Sequence, residues 1–219
     1  MQEATAYPIE HSVWALTLRR FFWHRLLWDI DCPLTPADWL TLPSQELRGA
    51  TDGAVYHDEV GELTYLREQL VWYPHDVWLY LLAAGWWRIE NEEHLMGRAG
   101  DVGDELGSSI IGARLVHDLM RLCFLMEKQY APYPKWFGSA FKQLLCAAKL
   151  TPVLWQAQRA ETWQQRESAL SEAYSFVAQM HNALGITDKL PETVSNFRPA
   201  RPFQVRLFMD SRDLLEKAL

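Results

Sequence analysis

Residues 75–96 read HDVWLYLLAAGWWRIENEEHLM, and this stretch decides the fold class. Val77, Leu81, Leu82, Trp86 and Ile89 recur at helical spacing with further apolar residues between them, the profile of a central rather than a surface helix. The run without charge, Val77 to Trp87, is 11 residues long, against the roughly 18 or more that a bilayer requires. Downstream, Gly97-Arg98-Ala99-Gly100 reads as a joint. Residues 101–128 then form the next long helix, closed by Ala131-Pro132-Tyr133-Pro134. Shorter helices fall at residues 135–147 and 152–160, and a third long one runs over 162–184 to Gly185, placed as a left-handed residue after a helix end. Upstream, residues 12–28 and 59–72 have the same period. Thr35-Pro36-Ala37-Asp38 is a helix start, with a capping hydroxyl, proline in the first turn and a carboxylate behind it. Pro43 opens another short turn, and residues 51–58 read as a loop or one short strand. Residues 191–202, with three prolines, read as an extended tail, and Ser211 caps a last short helix.

The predicted fold is therefore all-α, an up-and-down helical bundle with at most one short strand or hairpin. It divides into an amino-terminal helix at 1–30 and a helical domain at 31–219. The three long helices are expected to form the core, with most of the 11 tryptophans lining or rimming it.

Composition narrows the class of protein. A chain of 219 residues can bury roughly 70% of its unfolded surface and needs no metal or disulfide for a core. With 49% hydrophobic and 22% charged residues the balance is that of a folded globular protein, which excludes bulk disorder. A net charge of −7 argues against nucleic acid as the partner. Cys32, Cys123 and Cys146 are odd in number and far apart, which gives neither a disulfide framework nor zinc spacing. Glu3 and Glu10 precede any long apolar segment, so no secretory signal is visible and a cytoplasmic location is expected, with no membrane contact.

Several constellations carry chemistry. Gly97, Gly100, Gly103 and Gly107 have spacing unlike that of a phosphate loop and are read as a ridge for close helix packing. Arg114, His117, Asp118 and Arg121 stand at i, i+3, i+4 and i+7 and share one face of a helix. Arg98, Asp101, Glu105 and Ser108 make a second stripe. These charges form either an intrahelical ion-pair ladder or a pocket in which arginines meet an anion and Glu105 or Asp118 accepts a proton. Tyr130-Ala-Pro-Tyr133-Pro-Lys135-Trp136 then makes a stiff corner. A lysine at the start of a helix opposes the helix dipole and points to another partner. The doublets His57-Asp58, His75-Asp76 and His117-Asp118 raise a helical metal-dependent phosphohydrolase, and Asp29-Ile30-Asp31 raises a magnesium-binding carboxylate pair, although it lacks the strand such a pair sits on.

From about Leu34 onward the chain resembles a bacterial family of unknown function, domain-of-unknown-function family 4037. The resemblance is carried by Leu34-Thr-Pro-Ala-Asp-Trp39, Gly53-Ala-Val-Tyr-His-Asp58, Tyr73-Pro-His-Asp-Val-Trp78, the run from Gly97 to Gly107, the run from Ala113 to Cys123, the corner from Tyr130 to Trp136, and His181-Asn-Ala-Leu-Gly185. The resemblance implies a nucleotidyltransferase-like protein, whose helical domain follows an α/β domain with Gly-Ser and Asp-x-Asp metal-binding elements. On that analogy Glu105 matches a catalytic base, and Asp118 is a second candidate. Arg98, Arg114, Arg121 and Lys135 match anion contacts, with Tyr130 and Tyr133 beside them. No Gly-Ser/Asp-x-Asp strand unit occurs here, and residues 7–13 are at most a remnant of that domain's last strand. The expected function is thus a ligand-binding helical module, non-catalytic alone. It needs no cofactor itself, and magnesium and a nucleoside triphosphate only if a catalytic partner exists. Its expected partners are a small anionic ligand or nucleotide and, through the apolar first helix (Trp14, Phe21, Phe22, Trp23, Trp28), a second copy or a separate catalytic chain. A complete small nucleotidyltransferase and an all-helical phosphohydrolase are the alternatives.

Overall fold

The structure is a computed structural model, and it describes residues 13–198 and 201–206. Residues 7–12 of the proposed strand remnant and the helix expected after Ser211 lie outside the described residues. The elements are α1 (Leu18–Leu26), α2 (Pro36–Thr41), α3 (Ser44–Thr51), α4 (Glu62–Gln69), α5 (His75–Asp101), α6 (Glu105–Met126), a 3-10 turn (Pro134–Trp136), α7 (Phe137–Phe141), α8 (Ala147–Arg159), α9 (Trp163–Leu184), β1 (Val194–Arg198) and β2 (Arg201–Arg206). The fold is all-α, with one antiparallel hairpin where an extended tail was expected. That hairpin packs on α5 and α9.

Local chemistry sets the helix ends. Thr17 caps the first helix, its hydroxyl accepting the Arg20 N–H at 3.3 Å, so α1 begins at Leu18 and is shorter than its apolar pattern. Thr35 and Asp38 form a reciprocal capping box around Pro36, which holds the Asp38 carboxyl below its usual pKa. The joint expected at Gly97–Gly100 lies further on. α5 continues to Asp101, and the chain reverses at Gly103, whose φ of +85° is the left-handed conformation glycine takes without strain. There the Gly103 N–H bonds the Gly100 carbonyl at 2.9 Å and the Asp104 N–H bonds the Ala99 carbonyl at 3.0 Å, a Schellman closure. Asp104 then caps α6 by accepting the Gly107 N–H at 2.7 Å. Pro152, taken as a helix start, instead sits inside α8. Thr162 and Gly185 (φ +64°) bound α9 as expected.

Two cores meet along α5. The larger joins α5, α6, α8 and α9 through residues such as Leu82, Trp86, Leu115, Leu119, Leu122 and Val177. The smaller gathers Phe22, Trp28, Trp39, Leu47, Leu70 and Tyr130 over the start of α5. The three long helices do pack together, but the tryptophans divide otherwise than expected. Trp78 and Trp86 are buried in the larger core with Trp72 and Trp163 packed on it, and Trp28 and Trp39 belong to the smaller. Trp14, Trp23, Trp87, Trp136 and Trp155 are at least half exposed.

Of the glycine ridge, Gly100 serves packing: a methyl group there would overlap the Cβ and Cγ of Trp163 at the start of α9. Gly85 and Gly112, which the sequence reading passed over, do the same against Leu122 and Arg166. Gly100→Ala is expected to lower stability by about 1–3 kcal/mol through overpacking, whereas Gly138→Ala, at a site with no atom within 4 Å of the new carbon, should cost nothing. Urea unfolding of the two variants reads the contrast.

Candidate functional site

The charged face of α6 is cross-braced to α5. Arg88 donates to the Asp118 carboxylate at 3.2 Å, and Arg114 donates to Glu92 at 2.8 Å. The ladder is thus interhelical, and Asp118 holds Arg88 rather than Arg114 or Arg121. Burial acts to raise the Asp118 pKa, but the His117 ring and the Arg88 guanidinium outweigh it, so the carboxyl lies below its ordinary value. Arg121, one turn on, makes no ion pair or hydrogen bond among the described residues.

Glu105 is engaged on both oxygens. One accepts the Trp163 N–H at 2.9 Å, and the other lies 3.3 Å from Nη1 of Arg166. Arg166 is buried, and it also donates to Ser108 Oγ at 2.7 Å and to the Ala160 carbonyl at 2.9 Å. The carboxylate expected as a base therefore fastens the start of α9 to the start of α6. Its stripe-mates Arg98 and Asp101 are exposed on the last turn of α5, on the far side of the Gly103 reversal.

The Tyr130–Trp136 corner separates two grooves. Tyr130 turns inward, donating its hydroxyl to the Leu70 carbonyl at 2.9 Å and packing its ring on Trp72 and Tyr73. Burial pushes the Tyr73 phenol up to about 12, with Arg121 pulling the other way. Tyr133 is exposed. On one side, His117 and Arg121 line a groove of about 400 Å³ with Ser44 and Gln45 at the start of α3 and with Pro134 and Phe137. Arg121 and Ser44 also border an adjoining cleft with Arg88, Gln129 and Tyr130. On the other side lies a second groove that includes Lys135, whose ammonium sits 4.9 Å from the Trp136 ring centre. Arg121 and Lys135, expected to meet one anion, thus face different cavities.

The remaining constellations are apart. Asp29 and Asp31 both pair with Arg19. Asp58 accepts the Gly61 and Thr64 N–H groups ahead of α4, His75 and Asp76 are exposed at the start of α5, and His117-Asp118 is mid-α6. Among the described residues no three His, Cys, Asp or Glu side chains gather to hold a metal ion. All three cysteines are free thiols, and Cys146 beside it together with burial raises the Cys123 pKa. No helix among the described residues is long and apolar enough to cross a membrane.

Sequence reasoning passed over Arg166 and Glu127, and noted His181 only within a family motif. His181 is buried in α9, accepting from Trp86 Nε1 at 3.0 Å while its other nitrogen meets the Thr187 hydroxyl at 3.0 Å. Glu127 accepts the Leu145 and Cys146 N–H groups at 2.7 and 2.9 Å, ahead of α8. A polar residue within an apolar helical stripe was the available signal for Arg166 and His181.

The fold and its charged central helix define a helical domain with two flanking grooves. Residues 39–137, from α2 to the start of α7, match the model of a family described as Domain of unknown function (DUF4037). The family is the one the sequence motifs resemble, though residues 34–38 of the first motif and the His181–Gly185 motif fall outside the matched span. No curated protein and no solved structure matches the chain.

Two outcomes follow from these contacts. Breaking a buried ion pair costs about 3–5 kcal/mol, and because the Glu105 side chain is 41% exposed, water screens part of that. Glu105→Ala should therefore destabilise by about 2–3 kcal/mol in urea unfolding. Asp118 contributes stability that is complete above its unfolded pKa and disappears as pH falls through its lower folded value. Asp118→Asn should accordingly flatten the stability–pH curve below about pH 4, and an unchanged acid limb would contradict the Arg88 pairing.

Proposed function

We propose that the chain is the ligand-binding helical module of a nucleotidyltransferase-like protein, and that it binds a small anion such as the phosphate of a nucleotide in the His117–Arg121 groove. The observation that carries this reading is Arg121. It is a guanidinium with no acidic partner among the described residues, set in a concave site with His117 and Gln45, while the Ser44 hydroxyl there donates to the Ala131 carbonyl at 3.1 Å. Most arginines on this face are already neutralised, Arg88 by Asp118 and Arg114 by Glu92, so Arg121 is the cation left to meet an outside charge. The size of the groove, about 400 Å³, suits a small ligand.

Alone, the module binds rather than transforms. Its Asp29 and Asp31 are turned to Arg19, and phosphoryl transfer needs carboxylates that hold magnesium. Magnesium and a nucleoside triphosphate enter with a catalytic partner. Of the apolar residues expected to meet that partner or a second copy, Phe22 and Trp28 are buried in the smaller core with Phe21 packed on it, and Trp14 and Trp23 remain exposed to offer an apolar surface.

Calorimetric titration of inorganic phosphate and AMP into wild type and Arg121→Ala tests the reading, with melting temperatures recorded alongside. A charge-assisted contact is worth about 1.5–3 kcal/mol, so the variant should bind about tenfold or more weakly while its melting temperature holds. Binding that is absent from wild type, or untouched by Arg121→Ala, counts against the site. Metal-dependent pyrophosphate release surviving mutation of Asp29 and Asp31 would mean that the chain is itself an enzyme.

A further inference from the structure

The groove on the other side of the corner shares no lining residue with the His117–Arg121 groove. It has a volume of about 410 Å³, within the range of roughly 300–1,000 Å³ usual for small-molecule sites. Val116 and Met120 of α6, Phe141 of α7, and Leu154 and Trp155 of α8 form apolar walls. Lys135 and Lys142 stand among its lining residues, both exposed, with Ser139, Thr151 and Gln158 as neutral hydrogen-bonding groups. No carboxylate lines it, and neither lysine forms an ion pair among the described residues. An apolar lining and two ammonium groups without an acidic partner among the described residues, in one concavity, are complementary to an apolar body that carries an anionic head.

We propose that this groove is a second ligand site, taking an amphiphilic organic anion: an aromatic or acyl body against Met120, Leu154 and the Trp155 ring, and a carboxylate or comparable acid between Lys135 and Lys142. Burying the body removes water from the apolar wall. The lysines select the acid over its neutral analogue, because an uncharged head forfeits the charge-assisted contacts. Lys135 thereby has a role its position at a helix start opposes, since it faces a ligand rather than a phosphate held by Arg121. The proposal does not depend on the function assigned to the other groove.

The probes are 2-naphthoate, octanoate and the neutral 2-naphthamide, titrated by calorimetry into the full chain. At least one of the two acids is expected to bind in the micromolar to low-millimolar range, and 2-naphthamide about tenfold more weakly than 2-naphthoate. Replacing both lysines (Lys135→Ala with Lys142→Ala) should abolish that preference, and Gly138→Leu should weaken both acids by filling the groove from a position with open space around it. Arg121→Ala should leave acid binding unchanged, which separates this site from the anion groove. The idea is overturned if neither acid binds, if acid and amide bind alike to wild type, or if the lysine and Gly138 variants, melting as wild type does, bind as wild type does.

Discussion

Almost everything in this molecule depends on the burial of α6. Leu115, Leu119 and Leu122 are fully enclosed between α5 on one side and α8 and α9 on the other, and the helices approach closely because Gly85, Gly100 and Gly112 offer no side chain at the crossings. A helix packed on so much of its circumference has little surface left. What remains is a strip carrying Arg114, His117 and Arg121, flanked by Val116 and Met120. Both grooves open along that strip, so the packing of the core decides where they lie.

Polar contacts fix the register that apolar packing leaves soft. Arg166 ties α9 to the Glu105–Ser108 turn, Glu127 receives the chain ahead of α8, and His181 holds Trp86 across the α5–α9 seam. Each is a buried or half-buried group whose loss would leave a partner unsatisfied, which makes the arrangement costly to slide. The Arg88–Asp118 and Arg114–Glu92 pairs do the same at the more exposed edge of the α5–α6 seam, where water weakens them. By neutralising two arginines they also leave Arg121 distinct in character from its neighbours.

The Tyr130–Trp136 corner divides the surface. Tyr130 and Tyr73 are drawn into the smaller core by the area of their rings, and the Tyr130 hydroxyl finds a carbonyl there. The prolines that follow carry the chain out again, so that Lys135 emerges on the α8 side and Arg121 stays on the α3 side. One anion bridging both cations would have to cross that ridge. The two cations instead face two grooves of different lining, one polar and one largely apolar with two lysines.

The sequence by itself determined the helical class, the three long core helices, the helix start at Thr35 and the stop at Gly185, because helical period, caps and left-handed glycines are local properties of a few residues. It also placed Arg114, His117, Asp118 and Arg121 on one face, since a helix fixes spacing without reference to anything else. It misplaced the α5–α6 reversal, because four glycines within eleven residues are equivalent locally and only contact with Trp163 distinguishes packing at Gly100 from turning at Gly103. Partners were beyond its reach: that Asp118 holds Arg88, that Glu105 is occupied by Arg166, and that Arg121 and Lys135 look into separate grooves. Those outcomes rest on which helices meet and at what depth, and such distances arise only when the whole chain has packed.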